Sequence, residues 1–319
     1  MLTQIAPDTA PQAGREPQRK PLAAGLGMLA IVLSAACWGL ATVATKGALE
    51  TFPPFFTLAV QLSASVAFLW SAVIVSGTSL RGGHRGGIAL SGLLEPGLAY
   101  GVGVPGLALT SASNASVIST AEPALICIVA WIVFRQRPSR ALAVALVLAM
   151  AGVALVTVPD AAGEGGGPAS GHLAGDALVL LGTVFAALYV VVSSRLVGDL
   201  APLALGALQQ SVGLGFALLL FAGVWALGLE TLPDTVPPET LLLVAASGIV
   251  QYALAVWLYL TGLRVLRPAV AGIFLTLIPV FGVGGAVLFL GETIAPLQWV
   301  GGGLVIFAAG MIVKRRATA

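Results

Sequence analysis

Two carboxylates, Glu95 and Glu122, fall inside long apolar stretches of this 319-residue chain. A charged side chain at the centre of a bilayer costs about 2.5–3.5 kcal/mol on insertion scales, so such groups face a protein interior or a wet cavity. The chemistry they offer there is proton exchange, or a counter-charge for a cationic group. Pro96 follows Glu95, and Pro105 lies further along the same stretch. Each proline removes a backbone donor and frees a carbonyl, which within a membrane must be satisfied by protein or by a water-filled cavity. On a regular helix Glu95 shares its face with Gly92, Ala99, Val102 and Gly106, small residues that leave space beside the carboxyl. Glu122 shares its face with Ala115, Ile118 and Ile126 and precedes Pro123. A purely structural role, as a carboxyl hydrogen-bonded to a neighbouring helix or at the Pro123 kink, stands beside the functional one for each.

Lys46 closes the first apolar stretch, and Glu50 stands four residues on, a spacing at which a helix pairs opposite charges. The two form either an outer gate or an interfacial pair whose lysine stem snorkels. Trp38, Tyr100, Tyr189, Tyr252, Trp257 and Tyr259 lie within apolar stretches. Their rings can line a pocket, offer one hydrogen bond each and attract a cation. On regular helices Tyr100 stands about 140° from Glu95 and Trp257 about 120° from Gln251, so one cavity takes only some of them. No Walker-type phosphate loop is present. His84 and His172 fall in loops without metal-ligand spacing, and Cys37 and Cys127 read as small core residues. No catalytic set, metal, cofactor or nucleic-acid partner is expected.

The elements that hold these residues follow from composition. The chain is 58% hydrophobic and 9% charged, against about 25% charged in soluble domains. Its mean hydropathy is +1.01. A span needs about 20 mostly apolar residues. Ten candidates are found: Ala23–Thr45, Phe55–Val75, Ile88–Leu109, Ala115–Phe134, Ala141–Val158, Ala174–Ser194, Leu203–Leu229, Leu241–Leu263, Ala269–Leu290 and Leu297–Val313. The fold class is all-α integral membrane. Residues 1–22 form a polar tail, 23–158 the first five-helix unit, 159–173 a Gly-rich outer linker, 174–313 the second unit and 314–319 a basic tail. With both termini cytoplasmic, 14 of the 15 Lys and Arg fall on the inner side, and Lys46 alone lies outside. That is the partition the positive-inside rule requires.

The two units resemble each other. Lys46, Glu50, Pro53 and Gln61 recur as Arg195, Asp199, Pro202 and Gln210, 149 residues later. At an offset of 156, Gly92 matches Gly248, Glu95 matches Gln251, Gly106 matches Gly262, Ala115 matches Ala271, Thr120 matches Thr276 and Pro123 matches Pro279. Five spans per unit invert the second relative to the first, and inverted repeats place a transport site at their interface. Glu122 meets Ile278, so its carboxyl belongs to one unit only.

Trp38-Gly39 in the first span, the stretch Ala-Ser-Val-Ile-Ser-Thr-Ala-Glu-Pro ending at Pro123, and Pro279 with Leu290-Gly291-Glu292-Thr293 carry a resemblance to a known family. On these residues the chain resembles the drug/metabolite transporter superfamily in its EamA-type ten-helix branch. Arg135-Gln136-Arg137 stands where that family has Gly-Glu. The resemblance implies ten helices as two inverted repeats around a central cavity worked by alternating access, and it adds Trp38 to Glu95, Gln251 and Glu122 as candidate substrate or proton sites. The expected activity is secondary transport in the cytoplasmic (inner) membrane. It is export of a small polar or amphipathic, amino-acid-like metabolite, with proton coupling as a candidate drive. The alternatives are a carrier of cationic solutes or drugs and, from another class, a membrane-embedded enzyme or non-transporting sensor. The expected partners are a small-molecule substrate, the lipid bilayer and protons; oligomeric state is not readable from the chain.

The charge map is testable. A fluorescent protein fused after Ala319 is expected to fluoresce, and Gly166→Cys to react with an impermeant maleimide added to intact cells. The opposite labelling pattern removes this topology.

Overall fold

The computed structural model describes residues 21–318 apart from 83, 120, 135–139, 162–168, 194–195, 197–199, 234, 267–273 and 276. The expectations for the tail before residue 21, the centre of the linker, Thr120, the motif at 135–137, Arg195, Asp199, Ala271 and Thr276 lie outside the described residues. Every regular element among those described is helical. The order is α1 Pro21–Ala48, α2 Pro54–Ser76, α3 Arg85–Gly92, α4 Ala99–Leu109, α5 Ala112–Ser119, α6 Glu122–Phe134 and α7 Arg140–Ala161. It continues with α8 Ala169–Ser193, α9 Pro202–Ala226, α10 Pro238–Gly248, α11 Ala255–Val265, α12 Ile278–Gly285 and α13 Pro296–Thr318.

Among the described residues six stretches are long and apolar enough to cross a membrane: Gly25–Ala48, Pro54–Ser76, Arg85–Leu109, His172–Ser193, Pro202–Ala226 and Pro238–Val265. The stretch expected as one span over Ala115–Phe134 is two helices, with α6 restarting at Glu122. Pro123 explains the restart, because a residue without an N–H fits a helix's first turn and not its interior.

The third and eighth expected spans are each interrupted at the same place. Wider π-turns, Leu93–Leu98 and Ile249–Leu254, join α3 to α4 and α10 to α11. In the first of them Glu95 is extended, at φ −146° and ψ 123°, and its bond to Pro96 is cis. A π-turn adds a residue to the ring and re-aims whatever follows.

The helices pack in matching sets. α1 lies against α11 and α12, and α8 against α4 and α6. α2 and α9 face each other, with α10 beside the one and α3 beside the other, and α7 runs along α13. Small residues permit these contacts. Gly248 sits on the backbone of Gln61, and Gly92 on the backbone of Gln209. Gly262 meets Gly27 and Ile31, and Gly106 meets Gly175 and Val179. Gly92 and Gly106 therefore give their space to neighbouring helices rather than to the Glu95 carboxyl.

Two buried polar clusters also match. Gln61 Nε2 donates to Thr45 Oγ1 and to Ser247 Oγ, each at 2.8 Å. Gln209 Nε2 donates to Ser91 Oγ at 2.9 Å and Ser193 Oγ at 3.1 Å. Thr45 with Ser193, and Gln61 with Gln209, stand 148 residues apart, and Ser91 with Ser247 stand 156 apart. This corrects the expected register. Gln209, not Gln210, does for α9 what Gln61 does for α2. Likewise Pro54 and Pro202 are the first residues of their helices, whereas Pro53 precedes its helix. Adjacent Pro53-Pro54 and Gln209-Gln210 make the two registers equal in sequence; the hydrogen bonds of Gln209 and the helix starts separate them.

These contacts predict an asymmetry between glycines. Gly248→Val is expected to cost about 1–3 kcal/mol through overpacking against the Gln61 backbone. Gly215→Ala, where an added Cβ meets open space, is expected to change thermal unfolding in detergent little. Equal melting temperatures for the two variants would remove the close α2–α10 contact.

Candidate functional site

A cavity of about 140 Å³ lies among α1, α4, α5, α8 and α11 and the two π-turns. Its lining includes Trp38, Glu95, Glu122 and Gln251, so the four residues expected at a site stand around one space. Tyr100, Tyr189 and Tyr259 line it too. Tyr100 contradicts the helical-wheel expectation that it points away from Glu95. The 100°-per-residue rule assumes an unbroken helix, and the extended Glu95 and the π-turn lie directly before Tyr100. Trp257 follows the rule, being 41% exposed on the outside of the bundle. Tyr252 is fully buried beside the cavity, edge-on to Tyr100 with ring centroids 4.7 Å apart. Trp38 and Tyr259 pack edge to face at 5.5 Å.

A chain of hydrogen bonds leads to Gln251. Gln61 Nε2 donates to Thr45 Oγ1, and Thr45 Oγ1 donates to Gln251 Oε1 at 3.0 Å. Tyr100 lines the cavity together with Gln251 and Glu95. The position matched between the two units thus carries an amide in one and a carboxyl in the other. On the opposite wall Tyr189 donates to Gln209 Oε1 at 3.2 Å. Both matching polar clusters therefore reach the cavity, one through Thr45 and Gln251 and the other through Tyr189.

Lys46 does not pair with Glu50 among the described residues. α1 ends at Ala48, so the spacing of four crosses the helix end, and Glu50 is exposed in the turn. Lys46 Nζ instead donates to the carbonyl oxygens of Leu107 at 3.0 Å, Ala108 at 3.2 Å and Thr110 at 2.6 Å. Those carbonyls belong to the last turn of α4 and to Thr110 just past its end, where a cation meets the negative end of the helix dipole. Glu292 completes the junction by accepting from the backbone N–H of Ala112 at 2.7 Å and Ser113 at 3.0 Å, the start of α5. Thr45 and Leu107, the neighbours of this clamp, line the cavity. The clamp therefore ties α1 to α4 at one end of the cavity.

Asp176 has no part in the sequence expectations, although it lies in the apolar stretch Ala174–Ser194. It is 3% exposed, and Thr110 Oγ1 donates to its Oδ1 at 2.6 Å. It stands only two residues inside the stretch, yet an acid within an apolar run is the same signal that marks Glu95. Among the described residues no cluster of His, Cys, Asp or Glu has metal-site geometry.

Comparison with known proteins adds family and fold. A model described as the EamA-like transporter family matches residues 25–158 and again 173–314. A WAT1-related chloroplastic protein of Arabidopsis thaliana is 32% identical over 130 residues, which is 40% of this chain and 31% of that protein's length. A solved crystal structure superposes with a TM-score of 0.62 at 19% identity, covering 93% of this chain and 98% of the other. At that identity the likeness shows the fold.

The clamp separates Lys46 from Glu50 experimentally. Lys46→Met is expected to lower stability by about 1.5–3 kcal/mol, the worth of hydrogen bonds from a charged donor. Glu50→Gln is expected to stay within about 0.5 kcal/mol of the parent. Thermal unfolding in detergent reads both, and a comparable loss at Glu50 would restore the pairing of the two.

Proposed function

The chain belongs to the EamA-like transporter family, and on that premise we propose that it is a secondary carrier of small cationic, amphipathic solutes that bind in the cavity of Glu95 and Glu122. One observation carries the reading: among the described residues that line the cavity, two are carboxylates and none is Lys, Arg or His. An amino-acid-like zwitterion could place its ammonium there, but its own carboxylate would face two acids without a counter-charge. The aromatic lining suits the apolar part of such a solute.

Alternating access is part of the proposal. It takes the chain as ten spans in two inverted five-helix repeats, with both termini cytoplasmic. The matching polar clusters, matching π-turns and matching glycine contacts support the repeat, and the charge partition supports its inversion. The Lys46 clamp is the outer gate in this reading, because it holds α1 to α4 where the cavity ends. Protons and the cation compete for the same carboxylates, so an inward proton gradient expels the cation; export across the inner membrane by proton exchange follows. A membrane-embedded enzyme is disfavoured, because the cavity residues offer carboxylates and tyrosines without a recognisable nucleophile–base pair.

Proteoliposome flux tests the mechanism. An outward flux of a labelled organic cation is expected when the proton gradient is imposed, and to fall by about tenfold or more in Glu95→Gln, with a smaller loss in Glu122→Gln. Undiminished gradient-driven flux in both variants would remove the carboxylates from the mechanism.

A further inference from the structure

The hydroxyl groups around the cavity have already spent their protons. Thr42 Oγ1 donates to Trp38 O at 2.9 Å, Ser119 Oγ to Ala115 O at 2.8 Å and Thr183 Oγ1 to Val179 O at 2.9 Å. All three line the cavity. Each bond is the back-bond to the fourth preceding carbonyl that a helical Ser or Thr makes when no other acceptor is offered. What each oxygen then shows the cavity is lone pairs. The same holds for Tyr189, which gives its proton to Gln209 Oε1. Trp38 Nε1, the indole donor of the lining, is enclosed without a partner. Tyr259 keeps a hydroxyl that can turn either way. The wall therefore presents acceptors from several directions and few donors.

The aromatic faces are partly occupied as well. Trp38 and Tyr259 pack against each other, and Tyr100 packs on Tyr252. A quaternary ammonium, which has no N–H and depends on open ring faces, finds less here than a cation that can donate. We infer that the cation taken by this cavity carries N–H donors, as a primary ammonium or guanidinium does, and that quaternary ammonium ions are discriminated against. This rests on the cation-carrier reading above and narrows it. Three converging N–H groups on an ammonium can each meet a lone pair or a carboxylate oxygen. A quaternary ion of the same charge would leave buried acceptors unsatisfied, and leaving polar groups unpaired is how sites achieve strong rejection.

The experiment is a thermal-shift titration of the purified full chain in detergent with a graded series at neutral pH: butylammonium, its N-methyl and N,N-dimethyl forms, butyltrimethylammonium and sodium chloride. Binding to the native state raises apparent stability according to affinity. Affinity is expected to fall stepwise with each lost N–H, by about tenfold or more from the primary to the quaternary member. Equal or tighter binding of butyltrimethylammonium overturns the inference and leaves the cation-carrier reading standing. A response to sodium with none to any amine overturns it as well, and silence throughout the series overturns both readings. The double variant Ser119→Ala with Thr183→Val keeps both carboxylates and breaks only back-bonds within single helices. It is expected to lose most of the preference for butylammonium over butyltrimethylammonium; an unchanged preference would show that these hydroxyls do not set it.

Discussion

Hydrocarbon offers no hydrogen bonds, so each helix end or break at membrane depth must find its partners within the protein. This chain breaks its helices repeatedly, at the π-turns Leu93–Leu98 and Ile249–Leu254 and between Ser119 and Glu122, and much of its polar inventory answers helix ends. Lys46 takes three carbonyls at the end of α4. Glu292 takes two N–H groups at the start of α5. Glu230 takes those of Phe55 and Phe56 at the start of α2, at 2.9 and 3.3 Å. Each charge sits where the helix dipole favours its sign. Charges that would be costly in lipid thus become caps, and the helices they cap can stop where a cavity needs them to stop.

The break at Glu95 has the largest consequence. A regular helix would send Glu95 and Tyr100 to different faces. The extended residue and the π-turn bring both to one space, together with Gln251 from the matching turn. The α9 side accommodates the break: Gly213 lies against the Pro96 ring, where a larger side chain would not fit. Beside the break, hydrogen bonds run from Gln61 through Thr45 to Gln251. Direction matters for recognition, because it decides whether a group meets a ligand with a proton or with a lone pair. Thr42, Ser119 and Thr183 give their protons to carbonyls of their own helices, which leaves lone pairs to the cavity.

The apolar stretches and the doubled pattern were legible because they are written in period and spacing, which survive without knowledge of neighbours; the π-turns were not. Glu95, Glu122, Gln251 and Trp38 were legible as candidates because polar or resemblance-marked residues in apolar runs stand out. Lys46 was legible as unusual but not in its bonding, since its partners are backbone carbonyls 61 to 64 residues away and carbonyls have no sequence signature. Asp176 was hidden by its nearness to a stretch end. The register of the repeat was hidden by Pro53-Pro54 and Gln209-Gln210, neighbours that sequence cannot rank and that differ by about 100° round a helix.

The sequence by itself determined a helical membrane chain, its charge sidedness as an expectation, its doubled pattern and the pool of polar residues within its apolar stretches. Those are properties of composition and of local period, set by the cost of placing polar groups in hydrocarbon. Only the tertiary structure decided which of the pool meet in one cavity, which lysine contacts close its end, and which way the protons in its wall point. Those depend on where helices break and on which distant backbone groups are left wanting a partner, and both are fixed by packing between segments far apart in the chain.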